Sequence, residues 1–128
     1  MENKKGVIFA ISESNYANIK EGRNVFIKYT NLKIEKGFKI QFYISKTIKM
    51  VKIEAEIISS EILNADSIIS KYSNNLILTK EEFQRYITKT KDNDNRPQTK
   101  LVVIKFSNVK ECNFKPLNQV GVAGRYIY

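Results

Sequence analysis

The sequence opens on a continuous apolar run and then changes to segments in which apolar and polar residues alternate. The run Gly6–Ser12, rich in β-branched residues, predicts a buried strand. Period-two alternation predicts further strands over 23–30, 38–45 and 50–63, each with apolar residues on one side. Because three such segments in succession are typical of antiparallel strands joined by turns, they predict a meander with one face in water.

Helical spacing is found in three segments. A short helix is predicted between a cap at Ser12 or Ser14 and a stop at Gly22. A second helix is predicted to begin at Asn64 or Asp66. Its apolar residues follow the spacing i, i+3, i+4 and i+7, at Ala65, Ile68, Ile69 and Tyr72.

The third predicted helix has the clearest start signal, a capping box of Thr79 and Glu82. Its buried stripe is predicted at Phe83, Tyr86 and Ile87. The polar, proline-bearing stretch 88–99 predicts a loop. Beyond it, the apolar run 100–107 predicts a buried strand, and the terminal "RYIY" predicts a short strand that closes the sheet.

This order of elements predicts one α+β domain over residues 1–128. We expect a mixed, mainly antiparallel sheet that curls into a partly open barrel, because alternating strands need one covered face and five or six short strands nearly close at this chain length. The first helix is expected to fill one end of the barrel, and the later helices are expected to pack outside it.

Lysine and arginine outnumber aspartate and glutamate by 22 to 13, which gives a net charge of +9. That balance favours polyanionic partners such as RNA, DNA or an acidic membrane surface, although it is also compatible with an AT-rich genome or a hot habitat. The single cysteine, Cys112, excludes an internal disulfide and suits a reducing compartment. With no signal-peptide pattern and no apolar run of about 18 residues, the sequence predicts a cytoplasmic protein without a transmembrane helix.

The chain contains no histidine. It therefore lacks the residue that most often performs acid–base catalysis near neutral pH and most often binds zinc. Its glutamates are scattered, and its D-x-D pattern, Asp92 and Asp94, falls in the predicted polar loop. The sequence therefore predicts no metal, no cofactor and no catalytic residue.

The candidate binding residues centre on Lys28, in the middle of the second predicted strand. Phe26 and Thr30 share its face. Phe26 is unusual for a solvent face, and an unpaired ammonium is costly in a core. A cleft wall that partly covers Phe26 and lets Lys28 reach a phosphate or a base edge accounts for both. The alternative is a lysine with a buried stem and an ammonium in solvent.

Aromatic residues interleave with cations around Lys28, which suits single-stranded or extruded nucleotides because phosphates attract cations and bases stack on rings. Tyr43 is predicted to face outward, whereas Tyr29 shares a face with apolar residues and is compatible with the core. The predicted nucleic-acid-binding residues are Arg23, Lys28, Tyr29, Thr30, Lys39, Tyr43, Ser45, Lys46 and Arg125.

Five local strings carry a family resemblance: "VFIKYT" (25–30), "KGFKIQFYIS" (36–45), "EAEI" (54–57), "LTKEEFQRY" (78–86) and "GRYIY" (124–128). In this order they resemble the PUA-like superfamily, which includes PUA, ASCH and EVE domains, and more narrowly an uncharacterised archaeal PUA-related family. The resemblance spans nearly the whole chain. It implies a PUA-like β pseudo-barrel with peripheral helices and a cleft for nucleic acid, often around one base.

The resemblance also supplies a test for catalysis, because ASCH-type domains carry a G-x-K-x-x-E-x-R string after the first helix. Gly22 matches its glycine, but an ungapped reading puts Asn24, Ile27 and Tyr29 at the other positions. A one-residue shift brings Arg23 and Lys28 near the basic positions and leaves Phe26 in place of the glutamate. Without that carboxylate, the base that a hydrolytic mechanism needs is missing.

The leading hypothesis is an RNA-binding module that reads a modified or extruded base without catalysis. The rival is a small amidohydrolase-like enzyme acting on modified nucleosides, with Lys28 as activator or charge clamp, Thr30 as hydroxyl, and Glu54 or Glu56 as base. A third possibility is a protein-interaction domain whose charge is incidental. The sequence predicts no membrane or metal partner and leaves the exact ligand and the oligomeric state open.

Overall fold

The computed structural model describes residues 3–30, 32–91, 101–116, 120–121 and 124–128. In these ranges the elements follow the predicted order of strands and helices. They are β1 (Gly6–Ile11), α1 (Glu13–Lys20), β2 (Val25–Tyr29), β3 (Lys39–Ile44), β4 (Met50–Ile62), α2 (Ala65–Tyr72), α3 (Lys80–Lys91), β5 (Leu101–Phe114) and β6 (Arg125–Ile127).

The strands form one mixed sheet in the order β2-β5-β4-β3-β1-β6. β1 and β3 run parallel, and the other described pairs are antiparallel. The predicted three-strand meander is therefore wrong. β3 and β4 form a hairpin, but β2 pairs with β5 at the far edge of the sheet and not with β3. Alternation shows which residues share a face of a strand, but it does not identify the strand's partner.

The sheet curls into a half-barrel that brings its first and fifth strands together. The ring centroid of Phe26 on β2 lies 5.0 Å from that of Phe9 on β1 and 5.3 Å from that of Phe42 on β3. This contact spans the three strands that separate β2 from β1 in the sheet order. Register shifts where β4 pairs with β3 and β5 increase the local twist. The predicted partly open barrel is thus confirmed.

The interior of the half-barrel is a single apolar core. Alternate residues of β3 and β4 face it as predicted, at Ile40, Phe42, Ile44, Ile53, Ala55 and Ile57. Tyr16 and Ile19 of α1 join this core, as expected for a helix that fills one end of a barrel.

α2 and α3 pack on the outer face of β2 and β5. A second apolar cluster there includes Val25, Ile27, Ile68, Phe83 and Ile87. β2 is consequently covered on both faces, which corrects the prediction of a wet face for this strand. In α2, Ile68 is buried but Ile69 is 38% exposed, so its apolar stripe is narrower than predicted.

The predicted helix starts are confirmed by their hydrogen bonds. Ser12 and Asn64 each accept a bond from the backbone N–H three residues later, at 3.2 and 2.8 Å. Thr79 and Glu82 make both bonds of the capping box, at 2.9 and 3.2 Å. After α1, Gly22 has a φ of 108°, a left-handed conformation that glycine adopts without steric cost.

The third helix extends further than the sequence predicts. α3 continues to Lys91, so the first residues of the predicted 88–99 loop are helical. The reason is that residues 88–91 contain neither glycine nor proline, and a helix propagates readily once it has started. The remainder of the predicted loop, with Asp92 and Asp94, lies outside the described residues.

Candidate functional site

A cleft opens where the pairing of β1 is incomplete. β3 pairs with all of β1, but on the other side the described residues of β6 pair only with Gly6–Ile8. Between the rest of β1 and β2 lies a cleft of about 420 Å³. The side chains that line it come from α1, β2, α3 and the β3–β4 turn, and they include Ser12, Glu13, Lys28, Ser45, Lys46 and Tyr86.

Phe26 forms the floor of the cleft. It is only 5% exposed and packs into the interior core against Phe9 and Phe42. The prediction of a partly covered Phe26 is therefore wrong, because the curl of the sheet closes the half-barrel over this ring. Lys28 lies two residues further along β2, where the strand leaves the core and borders the cleft.

Lys28 places a cation in a poorly hydrated part of the cleft. Burial lowers the pKa of its ammonium from the ordinary value, because desolvation disfavours the charged form. Among the described side chains it has no ion-pair partner. Its Nζ atom lies 5.9 Å from the ring centroid of Tyr86. The Lys28 ammonium is therefore partly desolvated and is not paired with a described carboxylate.

Tyr86 joins α3 to the open edge of β2. Its hydroxyl accepts a hydrogen bond from the backbone N–H of Tyr29 at 2.8 Å, and the two ring centroids are 5.3 Å apart. β2 is the first strand of the sheet, so this N–H has no strand on its outer side in the described structure. Burial raises the pKa of the Tyr86 hydroxyl.

Replacing Tyr86 with phenylalanine is expected to lower the free energy of unfolding by about 1–3 kcal/mol, because the N–H of Tyr29 loses its acceptor. Urea denaturation would measure the change. Tyr43→Phe is the matched control, since no hydrogen bond of the Tyr43 hydroxyl is described. Equal stability of the two variants would contradict the role assigned to Tyr86.

The opposite wall combines the start of α1 with the β3–β4 turn. The Thr47 hydroxyl donates to the Glu13 carboxylate at 2.7 Å, and the Ser45 hydroxyl donates to a β1 carbonyl at 3.4 Å. Lys46 has a φ of 70°, a left-handed conformation that is uncommon for a long side chain and costs of order 1 kcal/mol. The turn therefore holds a second cation at the cleft in strained backbone.

Asn15 lines the cleft and links the starts of two helices. Its amide donates to the Ile77 carbonyl at 3.2 Å and to the two carboxylate oxygens of Glu82 at 3.3 and 3.4 Å. Sequence reasoning missed this residue. A signal was present, because Asn15 precedes the buried Ile19 by four residues and so shares its helix face.

Glu13 and Tyr86 are also absent from the predicted site. The helical stripe assigns Tyr86 to the core. Tyr86 does pack against the outer apolar cluster, but it is only partly buried and also lines the cleft. Nothing in the sequence indicates that Glu13 meets a turn 34 residues away.

The structure brings together only some of the predicted residues. Those that line the cleft are Lys28, Ser45 and Lys46. Tyr29 packs against the outer apolar cluster. Thr30 is 2% exposed, and its hydroxyl accepts a bond from the Leu32 N–H at 3.2 Å. The Arg23 guanidinium donates to the Leu76 carbonyl at 3.1 Å. The described contacts of these last three residues are internal to the protein.

Lys39 and Arg125 lie on the outer face of the half-barrel. The predicted strand "RYIY" is confirmed as β6, but Arg125 pairs with Ile8 and does not line the cleft that Lys28 borders. Two adjoining depressions on this face share Gln41 and Ile127 and together form the outer groove. The cations of the outer groove are Lys4, Lys5, Lys36, Lys39, Lys115 and Arg125.

The two glutamates of the enzyme hypothesis lie on β4 and do not line the cleft. Glu54 forms an ion pair with Lys39 at 3.6 Å. Glu56 pairs with Ser107 on β5, whereas Lys28 pairs with Val102 on the same strand. Val102 and Ser107 are five residues apart, which corresponds to about 16 Å along β5. The described structure therefore does not assemble the catalytic group of that hypothesis.

The described ranges contain no group of three or more cysteine, aspartate or glutamate residues that could hold a metal ion. None of the helices in these ranges combines the length and the hydropathy that a membrane-spanning segment needs.

Sequence comparison gives a family match along almost the whole chain. The family model described as "Domain of unknown function (DUF365)" matches residues 4–128. The "Uncharacterized protein MJECS03" of Methanocaldococcus jannaschii is 34% identical over 95 residues, which cover 70% of this chain and 88% of that protein.

Structure comparison matches the fold to ASCH domains. The crystal structure of ASCH from Zymomonas mobilis superposes with a TM-score of 0.79 at 11% identity, over 98% of this chain and 90% of that chain. A mutant of the same protein gives a TM-score of 0.78 at 10% identity, over 98% and 91%. At this identity the likeness establishes the fold alone. The predicted PUA-like architecture is confirmed.

Proposed function

The chain belongs to the DUF365 family and has the fold of ASCH domains, and from the cleft that this fold contains we propose that the protein binds RNA. One extruded or modified nucleotide enters the cleft, and no covalent chemistry follows. The net charge of +9 supports a polyanionic partner, because it raises the rate of encounter with nucleic acid.

The state of Lys28 carries this proposal. Its ammonium is partly withdrawn from water and has no ion pair among the described residues. Lys46 lines the same cleft. A phosphate entering between them would supply the missing anion and accept charge-assisted hydrogen bonds, each worth about 1.5–3 kcal/mol.

The other polar groups of the cleft suit the edge of a base. The Glu13 carboxylate is an acceptor of the kind that pairs with an exocyclic amine, and the hydroxyls of Ser12 and Ser45 can donate or accept. The volume of about 420 Å³ falls within the roughly 300–1,000 Å³ that is usual for small-ligand sites. The cleft is therefore large enough for one nucleotide.

The test is a titration of labelled single-stranded RNA with the wild type, Lys28→Arg, Lys28→Ala and the control Lys110→Ala, which removes an exposed lysine outside the cleft. Lys28→Ala is expected to weaken binding by about 1.5–3 kcal/mol, or roughly 10–150-fold. Lys28→Arg should keep much of the affinity because the charge remains. The slope of log affinity against log salt should fall in magnitude by about 0.7 in Lys28→Ala.

Two results would contradict the proposal. An affinity that does not change with salt would exclude binding through phosphates. Release of a product from modified nucleosides by the wild type, lost in Lys28→Arg, would instead indicate an enzyme, because an arginine cannot give up its proton as a lysine can. Mass spectrometry of the incubated nucleosides would detect such a product.

A further inference from the structure

The outer groove concentrates positive charge. Lys4, Lys5, Lys36 and Lys39 line one half, and Lys115 and Arg125 line the other. Glu54 is the one side-chain carboxylate among the described residues that line it, and it forms an ion pair with Lys39 at 3.6 Å. Lys4, Lys5, Lys36 and Lys115 form no ion pair among the described side chains, so the groove carries an excess of positive charge.

Aromatic rings stand among these cations. Phe114 and Tyr128 are 38% and 53% exposed, and the Nζ atom of Lys4 lies 4.1 Å from the ring centroid of Tyr126. Cations interleaved with exposed rings suit a single-stranded nucleic acid, because its phosphates pair with the charges and its bases stack on the rings. A partner with negative charge alone would make no use of the rings.

The outer groove and the cleft share one face of β3. Lys39, Gln41 and Tyr43 alternate with buried residues of β3 and so lie on the same side, and Ser45 directly follows the strand. The first two line the outer groove, and Ser45 lines the cleft. Tyr43 lies between them, opposite the small Ala10 of β1. Lys39 and Ser45 are about 20 Å apart along the strand.

We propose that the outer groove is a second binding site, which holds the backbone of the same single-stranded RNA whose extruded nucleotide occupies the cleft. This inference rests on the proposed function of the cleft. With a spacing of about 3.4 Å per nucleotide, as along one strand of duplex DNA, 20 Å corresponds to about six nucleotides. Tyr43 offers a stacking surface midway along this path. The ligand is thus an RNA segment and not a free nucleoside.

Isothermal titration calorimetry with uridine monophosphate and oligouridylates of three, six and nine nucleotides tests this inference. For the wild type we expect affinity to rise about 100-fold between one and six nucleotides and then level off, because the second site is filled by an attached segment. A Lys36→Gln, Lys115→Gln double variant should lose most of this rise and keep the affinity for the monophosphate. Its salt slope with the six-mer should fall in magnitude by about 1.4, for two phosphate contacts.

The matched control is a Lys20→Gln, Lys71→Gln double variant, which removes two exposed lysines that line neither the cleft nor the outer groove. It should behave as the wild type. Equal affinity for one and six nucleotides, with Lys28→Ala still weakening both, would overturn the second site and leave the cleft proposal intact. Binding that is insensitive to Lys28→Ala at every length would overturn the cleft proposal. Inorganic polyphosphate of the same total charge as the six-nucleotide oligouridylate provides a further test. If it binds as tightly as that oligouridylate, the second site is not an RNA site.

Discussion

Replacing Phe26 with alanine is expected to lower the free energy of unfolding by about 3–5 kcal/mol, the usual cost of removing a buried phenylalanine ring. The ring is 5% exposed and contacts Phe9 and Phe42. No strand pairing between β1 and β2 is described, and the packing of Phe26 against Phe9 and Phe42 joins the two sides of the cleft. Urea denaturation followed by circular dichroism would measure the loss.

Phe83→Ala provides the matched control, because Phe83 is also buried but belongs to the outer cluster, on α3. It should cost a similar amount of stability. The conservative variants Phe26→Leu and Phe83→Leu, each expected to cost less than about 1.5 kcal/mol, then separate stability from binding. RNA affinity should fall in Phe26→Leu alone. Equal affinities in the two leucine variants would show that Phe26 does not shape the cleft.

Replacing Lys28 with methionine is expected to raise the free energy of unfolding at pH 7 by about 1 kcal/mol while weakening RNA binding at least about tenfold. Burial lowers the pKa of Lys28 in the folded protein relative to the unfolded chain. Desolvation of the charged ammonium therefore destabilises the folded state. This destabilisation is fully present at neutral pH, where the ammonium is charged in both states. Methionine keeps the length of the side chain and removes that cost.

The pH dependence has a definite sign. Between the lowered pKa of folded Lys28 and the value of 10.5 in the unfolded chain, the unfolded state binds more protons. The free energy of unfolding of the wild type therefore rises with pH in that window. The difference in stability between Lys28→Met and the wild type becomes smaller. Lys110→Met, at an exposed position, should stay within about 0.5 kcal/mol of the wild type at each pH. A Lys28→Met variant that is less stable at pH 7 would mean that the ammonium has a stabilising partner.

Local sequence patterns were sufficient to predict the order of the elements and the buried faces of β3 and β4. The caps at Ser12 and Asn64 and the box of Thr79 and Glu82 are encoded within four residues. The alternation in β3 and β4 likewise identifies the core side of each strand, because neighbouring side chains lie on opposite faces. These features depend on nearby residues, and the structure reproduces them.

Lys28 is the residue at which sequence reasoning came nearest to the site. A lysine between Phe26 and Thr30 conflicts with both a core and a solvent face, and that conflict marks the border of the cleft. The sequence did not show that Thr30 turns into the protein or that Arg23 is held by a carbonyl 53 residues away. Both outcomes depend on packing between distant segments.

The tertiary structure alone decided which segments meet. β2 pairs with β5, some 75 residues later by register, and its other edge meets Leu76 at Val25 and Tyr86 of α3 at Tyr29. In the described part of the chain β6 covers β1 only as far as Ile8, and the remainder of β1 faces β2 across the cleft. Alternation carries no information about partners, since any strand with one apolar face can pair with any other. The sequence by itself therefore determined the elements and the buried faces of the central strands. The long-range pairing of the strands determined that Lys28 and Lys46 line the cleft, whereas Lys39 and Arg125 line the outer groove.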